Sequence, residues 1–176
     1  MATTRSPATR KRTPRLRGGI DLGGTKIQTV VVNARNAVLG QARVPTPTTG
    51  GPADVAAAMA AAMQTAAGQA GVQTSDLTHI GVGSPGLTDA AAGTVTSARN
   101  LPGWEGSYPL GGELAAQLGT AVALGNDVQV ATEAEARLGA GRGHRSMLGV
   151  FWGTGVGGGI ILGSKPWYGN GASGEI

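Results

Sequence analysis

The sequence contains no cysteine, and only 3% of its residues are aromatic. The absence of cysteine excludes a disulfide framework for this stretch of chain. No run of about 18 apolar residues is present, so the sequence predicts no membrane-spanning helix. The scarcity of aromatic residues, together with 32 glycines in 176 residues, favours close-packed turns over a large aromatic core. A chain of this length fits one domain, or one domain and part of another.

Acidic residues are missing from the first 20 positions. Residues 1–17 hold six of the 14 basic residues and few apolar ones, which is typical of a disordered basic tail. From residue 18 onward eight basic residues face ten acidic ones, a net charge of −2, so the folded part is mildly acidic. The tail has no apolar stretch and is neither a Sec nor a twin-arginine signal. We expect a cytoplasmic protein with no nucleic-acid or membrane partner.

The spacing of apolar residues, glycines and prolines predicts an α/β fold with the element order β-β-β-α-β-α-β-α. The predicted strands are 18–22, 27–32, 37–44, 78–83 and 121–124, and the predicted helices are 52–71, 110–118 and 127–138. Residues 84–104 are predicted to be irregular, a kind of segment that often carries function on a rigid scaffold. Two more strands, 147–152 and 156–162, open a second unit.

A glycine-rich turn, residues 21–26 with the sequence DLGGTK, joins the first two predicted strands. The N–H groups of Gly23, Gly24 and Thr25 are suited to phosphate oxygens, and Lys26 can add a point charge. Asp21 is placed to hold Mg²⁺ through water. The turn has no P-loop spacing, and a strand follows it where a dinucleotide fingerprint requires a helix. An ordinary hairpin that uses the Gly-Gly pair for its positive φ values stays open.

The second glycine-rich turn, residues 153–159 with the sequence GTGVGGG, matches the spacing G-x-G-x-x-G, and Glu175 follows about 20 residues later. A strand pattern follows this turn, so we reject the dinucleotide interpretation. A second phosphate hairpin explains the residues better, with the Thr154 hydroxyl and the amides of Gly155 and Gly157 facing the transferred group.

Asn126 and Asp127 lie between a predicted strand and a predicted helix. Both residue types are common at helix N-termini and in turns, so a purely capping role stays open. Between two phosphate hairpins, Asp127 is also suited to orient a hydroxyl and to accept its proton late in phosphoryl transfer. Because the helix dipole favours an anion there, we expect the pKa of Asp127 to be depressed.

Taken together, the motifs resemble those of the ROK family, which groups bacterial sugar kinases with sugar-responsive repressors. The resemblance runs from about Gly18 to Ile176 and rests on six motifs in the same order: DLGGTK at 21–26, GSPG at 83–86, NLPGW at 100–104, ND at 126–127, GTGVGGG at 153–159 and GE at 174–175. So many motifs in one order are very unusual by chance.

This resemblance implies an actin-like ATPase, ribonuclease-H-like fold with sugar and ATP in a cleft between two domains. It implies ATP-dependent phosphorylation of a hexose, foremost glucose, with Asp127 as the base, ATP and Mg²⁺ as cofactors, and a dimer or tetramer. The implied sugar-binding residues are Ser84, Gly86, Asn100, Asn126 and Glu175. The implied phosphate-binding residues are Asp21, Gly23, Gly24, Thr25, Lys26, Thr154, Gly155 and Gly157.

The expected organisation is a tail at 1–17, a sugar- and phosphate-binding domain at 18–140, and the opening strands of a second, truncated domain at 141–176. The family's zinc ligands, one histidine and three cysteines, would follow Ile176, so structural Zn²⁺ is expected only in a full-length parent. We therefore expect this chain to be inactive alone and to expose apolar surface at Leu148, Val150, Ile160 and Ile161.

Besides the end of the sequence before the zinc segment, one departure from the family's motifs and two alternative functions stay open. Residues 128–130, Val-Gln-Val, stand where the family has small residues and a second asparagine. A sugar-responsive repressor of the same family would need a winged helix before the first glycine turn. An actin-like ATPase would use water in place of a sugar. Neither the sugar nor the choice of ATP or polyphosphate as donor can be read from these residues.

Overall fold

The computed structural model of the chain describes residues 15–153 and 156–169. The helices are α1 Pro52–Gln69, α2 Leu110–Leu118 and α3 Asp127–Leu138. The strands are β1 Arg17–Leu22, β2 Lys26–Val32, β3 Val38–Pro45, β4 Ile80–Ser84, β5 Leu87–Asp89, β6 Thr94–Thr96, β7 Ser107–Tyr108, β8 Val122–Asn126, β9 Met147–Trp152, β10 Val156–Leu162 and β11 Lys165–Trp167.

The main sheet has five strands in the order β3-β2-β1-β4-β8. The first three form an antiparallel meander, whereas β4 and β8 run parallel to β1. Parallel neighbours require crossover connections, and the segments containing α1 and α2 supply them. The predicted order is confirmed for the five strands of the main sheet and the three helices. As a result, the carboxyl ends of β1, β4 and β8 meet at one edge of the sheet.

One face of this sheet is covered by α1 and α2, and the hydrophobic core lies between these layers. Gly40 of β3 lets α1 approach closely, because a Cβ atom at this position would collide with the Ala66 carbonyl oxygen. The largest fully buried core side chains include Leu22, Ile27, Met59, Met63, Ile80, Leu110 and Leu114. None of the helices in the described ranges combines the length and apolarity that a bilayer crossing requires.

The segment at residues 84–104, predicted to be irregular, contains regular structure. It holds β5 and β6, which form a three-stranded antiparallel sheet with β7. These strands have two or three residues each, too few for an alternating pattern to show in the sequence. The loop that follows β6 carries Asn100, which lies close to Gly24 just beyond the end of β1.

The predicted tail extends too far along the chain. Residues 1–14 lie outside the described residues, but Leu16 is buried and Arg17 is the first residue of β1. The Leu16 carbonyl oxygen accepts hydrogen bonds from the Thr78 N–H at 2.9 Å and from Thr78 Oγ1 at 2.8 Å. This pairing beside β1 and β4 makes Leu16 and Arg17 part of the fold.

The last three strands form a separate sheet, β11-β10-β9, which packs against α3. The expectation of exposed apolar side chains holds for Leu148 and Val150, which are 59% and 58% exposed. It is wrong for Ile161, which is buried, while Ile160 is half-buried. The division of the chain between residues 140 and 141 stays a prediction.

Candidate active site

Three neighbouring strands bring the predicted polar residues to one edge. In the parallel register Asp21 of β1 lies opposite Gly83 of β4, and Gly83 lies opposite Gly125 of β8. One position further along, Ser84 lies opposite Asn126. Since α3 begins directly after β8, Asp127 lies at the same edge as Asp21. The carboxyl ends of such strands are the usual binding edge of an open α/β sheet.

The N-terminus of α3 is capped by Asn126, whose Oδ1 accepts a hydrogen bond from the Gln129 N–H at 3.1 Å. Asp127 is therefore the first residue of the helix, and the cap is the asparagine before it. The Asp127 Oδ1 accepts a hydrogen bond from the Val128 N–H at 2.9 Å. Asn126 thus supplies the cap, so the carboxylate of Asp127 is not needed for this purpose.

Burial raises the pKa of Asp127 above its ordinary value, and the negative charge of Asp21 raises it further. The Val128 N–H acts in the opposite direction, because it stabilises the ionised carboxylate, but it does not outweigh burial. The expectation of a depressed pKa is wrong for this reason: the dipole argument left out desolvation of the half-buried side chain. A carboxylate with a raised pKa is a stronger base.

Gly83 forms the floor beneath Asp127. A Cβ atom at Gly83 would lie 3.4 Å from the Asp127 Cα and 3.8 Å from its Cβ. These distances are ordinary van der Waals contacts, so α3 begins directly on the surface of β4. Any residue larger than alanine at position 83 would extend into the space beside the carboxylate.

The first glycine turn is held by hydrogen bonds that the sequence did not reveal. The Gly23 N–H donates to the Lys26 carbonyl oxygen at 3.0 Å, so it is occupied within the turn and does not face a phosphate as predicted. The buried Thr46 donates from Oγ1 to the Gly23 carbonyl at 2.7 Å, and its N–H donates to the Thr25 carbonyl at 3.1 Å. Within the described ranges the N–H groups of Gly24 and Thr25 have no acceptor, so they remain the candidates for phosphate.

The same turn contacts the loop that carries Asn100. A Cβ atom at Gly24 would lie 3.2 Å from the Asn100 Cβ and 3.4 Å from its carbonyl oxygen. Asn100 is exposed, and its side chain makes no hydrogen bond to the rest of the described chain. The structure thus brings the predicted phosphate turn and a predicted sugar-binding residue into direct contact.

Trp104 anchors the Asn100 loop. Its indole is buried, its Nε1 donates to the Val95 carbonyl oxygen at 3.1 Å, and its ring meets Tyr108 edge-on at 5.6 Å. Ala98 and Leu101 are buried beside it. The loop around Asn100 is therefore held on both sides by core residues.

Ser84 and Gly86 have structural explanations of their own. Ser84 is fully buried, and its Oγ donates to the Pro85 carbonyl oxygen at 3.0 Å. Gly86 has φ of +87°, and a Cβ atom there would lie 2.8 Å from the Thr96 carbonyl oxygen. Both residues shape the turn at the end of β4, which supports the interpretation of Ser84 as a turn residue.

The second glycine turn is described only at its two sides. Gly153 follows β9, and Gly157 lies in β10 opposite Phe151. Thr154, Gly155 and Glu175 fall outside the described residues. In the described part of the chain, no group of three or more His, Cys, Asp or Glu side chains could hold a metal ion. The carboxylates at the edge that could contribute to such a site are Asp21 and Asp127.

A cavity of about 1120 Å³ lies over the main sheet and includes Asp21 and Gly83 in its lining. Asn100, Asn126 and Asp127 are not among its lining residues. Other parts of the lining are Gly19, Gly81 and Gly125, which give the sheet a nearly bare surface. The polar residues that could act on a ligand therefore lie at the strand ends beside this cavity.

Comparison with known proteins gives a consistent result. The model of the ROK family matches residues 17–176. A glucokinase from Streptomyces coelicolor is 37% identical over 148 residues, which are 84% of this chain and 44% of that protein. An N-acetyl-D-glucosamine kinase from Erwinia tasmaniensis is 39% identical over 148 residues, covering 84% of this chain and 46% of that protein. The chain spans less than half the length of these two curated relatives.

Among solved structures, a ROK family glucokinase from Streptomyces griseus, in complex with glucose and AMPPNP, superposes with a TM-score of 0.77 at 35% identity. The match covers 88% of this chain and 47% of that protein. The chain therefore shares the fold of that protein over most of its own length.

Proposed function

Because the chain belongs to the ROK family and has the actin-like ATPase fold, we propose that it supplies the base, sugar contacts and part of the phosphate site of a hexose kinase. The observation that carries this proposal is the shared edge of β1, β4 and β8. There the half-buried carboxylate of Asp127, whose pKa is raised, lies across β4 from Asp21, whose charge contributes to that rise. The first glycine turn and Asn100 adjoin each other directly after β1.

Asp127 is the proposed base. Its carboxylate would hold a hexose hydroxyl and accept the proton as that oxygen attacks the terminal phosphorus of ATP, while the bond to the ADP oxygen breaks. The products are a hexose phosphate and ADP, and the proton leaves Asp127 for water. Phosphoryl transfer has a loose transition state, so orientation of the hydroxyl contributes more than early deprotonation. Capping by Asn126 and the Val128 N–H hold the carboxylate in place for this role.

The phosphate groups of the donor would lie against the two glycine turns. In the first turn Gly24 and Thr25 offer N–H groups, and Lys26 offers a charge that forms no ion pair within the described ranges. Gly23 acts through the shape of the turn. In the second turn we propose Thr154, Gly155 and Gly157 as donors of hydrogen bonds.

Asp21 is the residue we propose for Mg²⁺, through water. The donor chemistry fits a hard cation, since Asp21 offers carboxylate oxygen at an exposed strand end and a second carboxylate, Asp127, lies across β4. Bound Mg²⁺ would neutralise charge on the phosphates of the donor. The contribution of this chain is the position of Asp21, fixed by its pairing with Gln28 and Gly83.

We propose that sugar hydroxyls are held by Asn100, Asn126 and Glu175. Amide and carboxylate groups read the donors and acceptors of a hydroxyl-rich ligand. Ser84 and Gly86 would act by shaping the turn next to this site. Glucose is the first candidate substrate because a glucokinase covers 84% of this chain at 37% identity, and the N-acetylglucosamine kinase makes the amino sugar the second.

The proposal is tested with the protein as its gene encodes it. Glucose, mannose, N-acetylglucosamine and N-acetylmannosamine are each incubated with ATP and Mg²⁺, and separately with polyphosphate. Formation of a sugar phosphate is followed by ³¹P NMR, which also identifies the hydroxyl that reacts. We expect ATP-dependent phosphorylation of at least one hexose. ATP hydrolysis at the same rate with and without every sugar would support the ATPase alternative and contradict the proposal.

A further inference from the structure

Helix α3, which begins with Asp127, packs directly against β9 and β10, the two strands that flank the second glycine turn. Gly149 of β9 and Gly159 of β10 lie directly opposite each other in the antiparallel register. Both face Thr132 of α3, which is only 1% exposed. Two paired glycines thus leave a bare patch on the hairpin, and one helical side chain fills it.

The contact leaves no room for a further carbon atom. A Cβ atom at Gly149 would collide with Thr132 Oγ1 and would lie 2.9 Å from its Cγ2. A Cβ atom at Gly159 would lie 2.8 Å from Thr132 Oγ1, 3.0 Å from its Cβ and 3.3 Å from the Gln129 Cα. Real Cβ atoms do not come within 3.0 Å of another heavy atom, so an alanine at either position requires Thr132, and α3 with it, to move away from the hairpin.

The side chain of Thr132 is itself fixed. Its Oγ1 donates to the Val128 carbonyl oxygen at 2.8 Å, one turn closer to the helix start. This bond restricts the rotamer of a β-branched residue that has few alternatives in a helix. Both sides of the contact are therefore rigid: the hairpin contributes the backbone of two glycines, and the helix contributes a threonine whose rotamer is fixed.

Strand β9 runs along α3 from the C-terminal end of the helix toward the N-terminal end. Near the C-terminal end of α3, a Cβ atom at Gly141 would meet the Met147 sulfur, and Met147 opens β9. Two residues later Gly149 meets Thr132. From Thr132 the helix needs about 7.5 Å to reach Asp127. From Gly149 the strand needs about 13 Å to reach Gly153. The end of the hairpin thus lies on the side of Asp127.

We propose that Thr132, with Gly149 and Gly159, is a positioning residue that sets the distance between Asp127 and the phosphate-binding end of β9 and β10. This inference rests on the proposed function, because it assigns the base to α3, on one side of this contact, and the groups that bind phosphate to the hairpin on the other side. Thr132 touches neither substrate. It acts by holding the proton acceptor and the donor phosphates at a fixed separation.

The test is a mutant cycle in the protein as its gene encodes it. Gly149→Ala pushes α3 from the hairpin, and Thr132→Ala removes the Oγ1 and Cγ2 atoms that the new methyl group would meet. Gly112→Ala in α2 is the matched control, because a Cβ atom there meets nothing within 4 Å. For each variant we measure kcat, KM for sugar and for ATP, the sugar Kd and the melting temperature.

We expect Gly149→Ala to lower kcat by about 10- to 100-fold, the scale of a displacement near 1 Å, with the sugar Kd unchanged. The double variant Thr132→Ala/Gly149→Ala is expected to regain most of the lost kcat, whereas a purely structural contact would restore the melting temperature alone. If Gly149→Ala does not fold, the double variant is compared with Thr132→Ala instead. We then expect the double variant to have the higher kcat.

Unchanged kcat in a folded Gly149→Ala variant, with active parent protein, would overturn the positioning role and leave the proposed function standing. A parent protein that phosphorylates no sugar would overturn both.

Discussion

Asp21 and Asp127 lie at the ends of β1 and β8, with β4 between them, and the charge of Asp21 raises the pKa of Asp127. The two carboxylates are therefore one electrostatic unit. The structure places one at an exposed strand end and the other half-buried at a helix start. Unequal surroundings of this kind are how one site assigns different roles to two carboxylates.

Asp21→Asn should lower the pKa of Asp127, because it removes a neighbouring negative charge. The titration of the Asp127 side-chain carbon is followed by ¹³C NMR in the 176-residue chain. Glu105→Gln, which removes an exposed carboxylate with no hydrogen bond in the described chain, is the matched control. An Asp127 titration unchanged by Asp21→Asn would show that the two charges do not interact.

Asp127→Asn should make the folded chain more stable at neutral pH. A carboxyl group with a raised pKa in the folded state contributes stability when protonated, and this stability is lost as pH rises through the folded-state pKa. The asparagine amide carries no charge, so it removes the free-energy cost of burying an ionised carboxylate, and its oxygen can still accept the hydrogen bond from the Val128 N–H. Melting temperatures at pH 7 should therefore be higher in the variant by a few degrees, and the difference should disappear below the ordinary aspartate pKa of about 3.9. A lower melting temperature at pH 7 would contradict the raised pKa.

Thr46→Val should destabilise the first glycine turn. The change keeps the shape of the side chain but leaves the Gly23 carbonyl oxygen without its donor at a buried position. A lost partner of this kind costs about 1–3 kcal/mol. Urea unfolding measures the loss of stability, and binding of AMPPNP should weaken in parallel. Thr48→Val, at an exposed threonine with no hydrogen bond in the described chain, should leave both unchanged.

Trp104→Phe should weaken sugar binding more than nucleotide binding. It removes the bond from Nε1 to the Val95 carbonyl oxygen, which holds the loop of Asn100. We expect a loss of about 1–3 kcal/mol in unfolding free energy. Trp152→Phe is the control, since Trp152 is 87% exposed. Equal sugar affinity in the two variants would contradict a role of Trp104 in sugar binding.

Much of the fold could be predicted from sequence because its elements are long and bounded by clear signals. Helix α3 was predicted at the residues where it lies, and α2 ends at Leu118, directly before Gly119, which adopts a φ of +67°. The strands of β5–β7 could not be predicted, because strands of two or three residues carry no period. Thr46 was missed because its role depends on contact across 23 residues of sequence.

The candidate site was predicted in part. Residue types and their order indicated Asp21 and Asp127, and the family resemblance added Asn100. The structure brings these three residues to one edge. The direction of the pKa shift at Asp127 was wrong, because sequence shows a helix start but not how deeply its first side chain is buried. The occupied N–H of Gly23 likewise follows from the turn geometry, which two adjacent glycines leave undetermined.

The most direct test of Asp127 as the base is a comparison of Asp127→Asn with the parent protein under conditions in which the parent phosphorylates its sugar. Turnover is measured by sugar phosphate formation, and sugar affinity by calorimetry. We expect kcat to fall by at least about 100-fold, since general base catalysis is lost, while the sugar Kd changes by no more than about threefold. A variant that binds the sugar and turns over at the parental rate would contradict the assignment of Asp127 as the base.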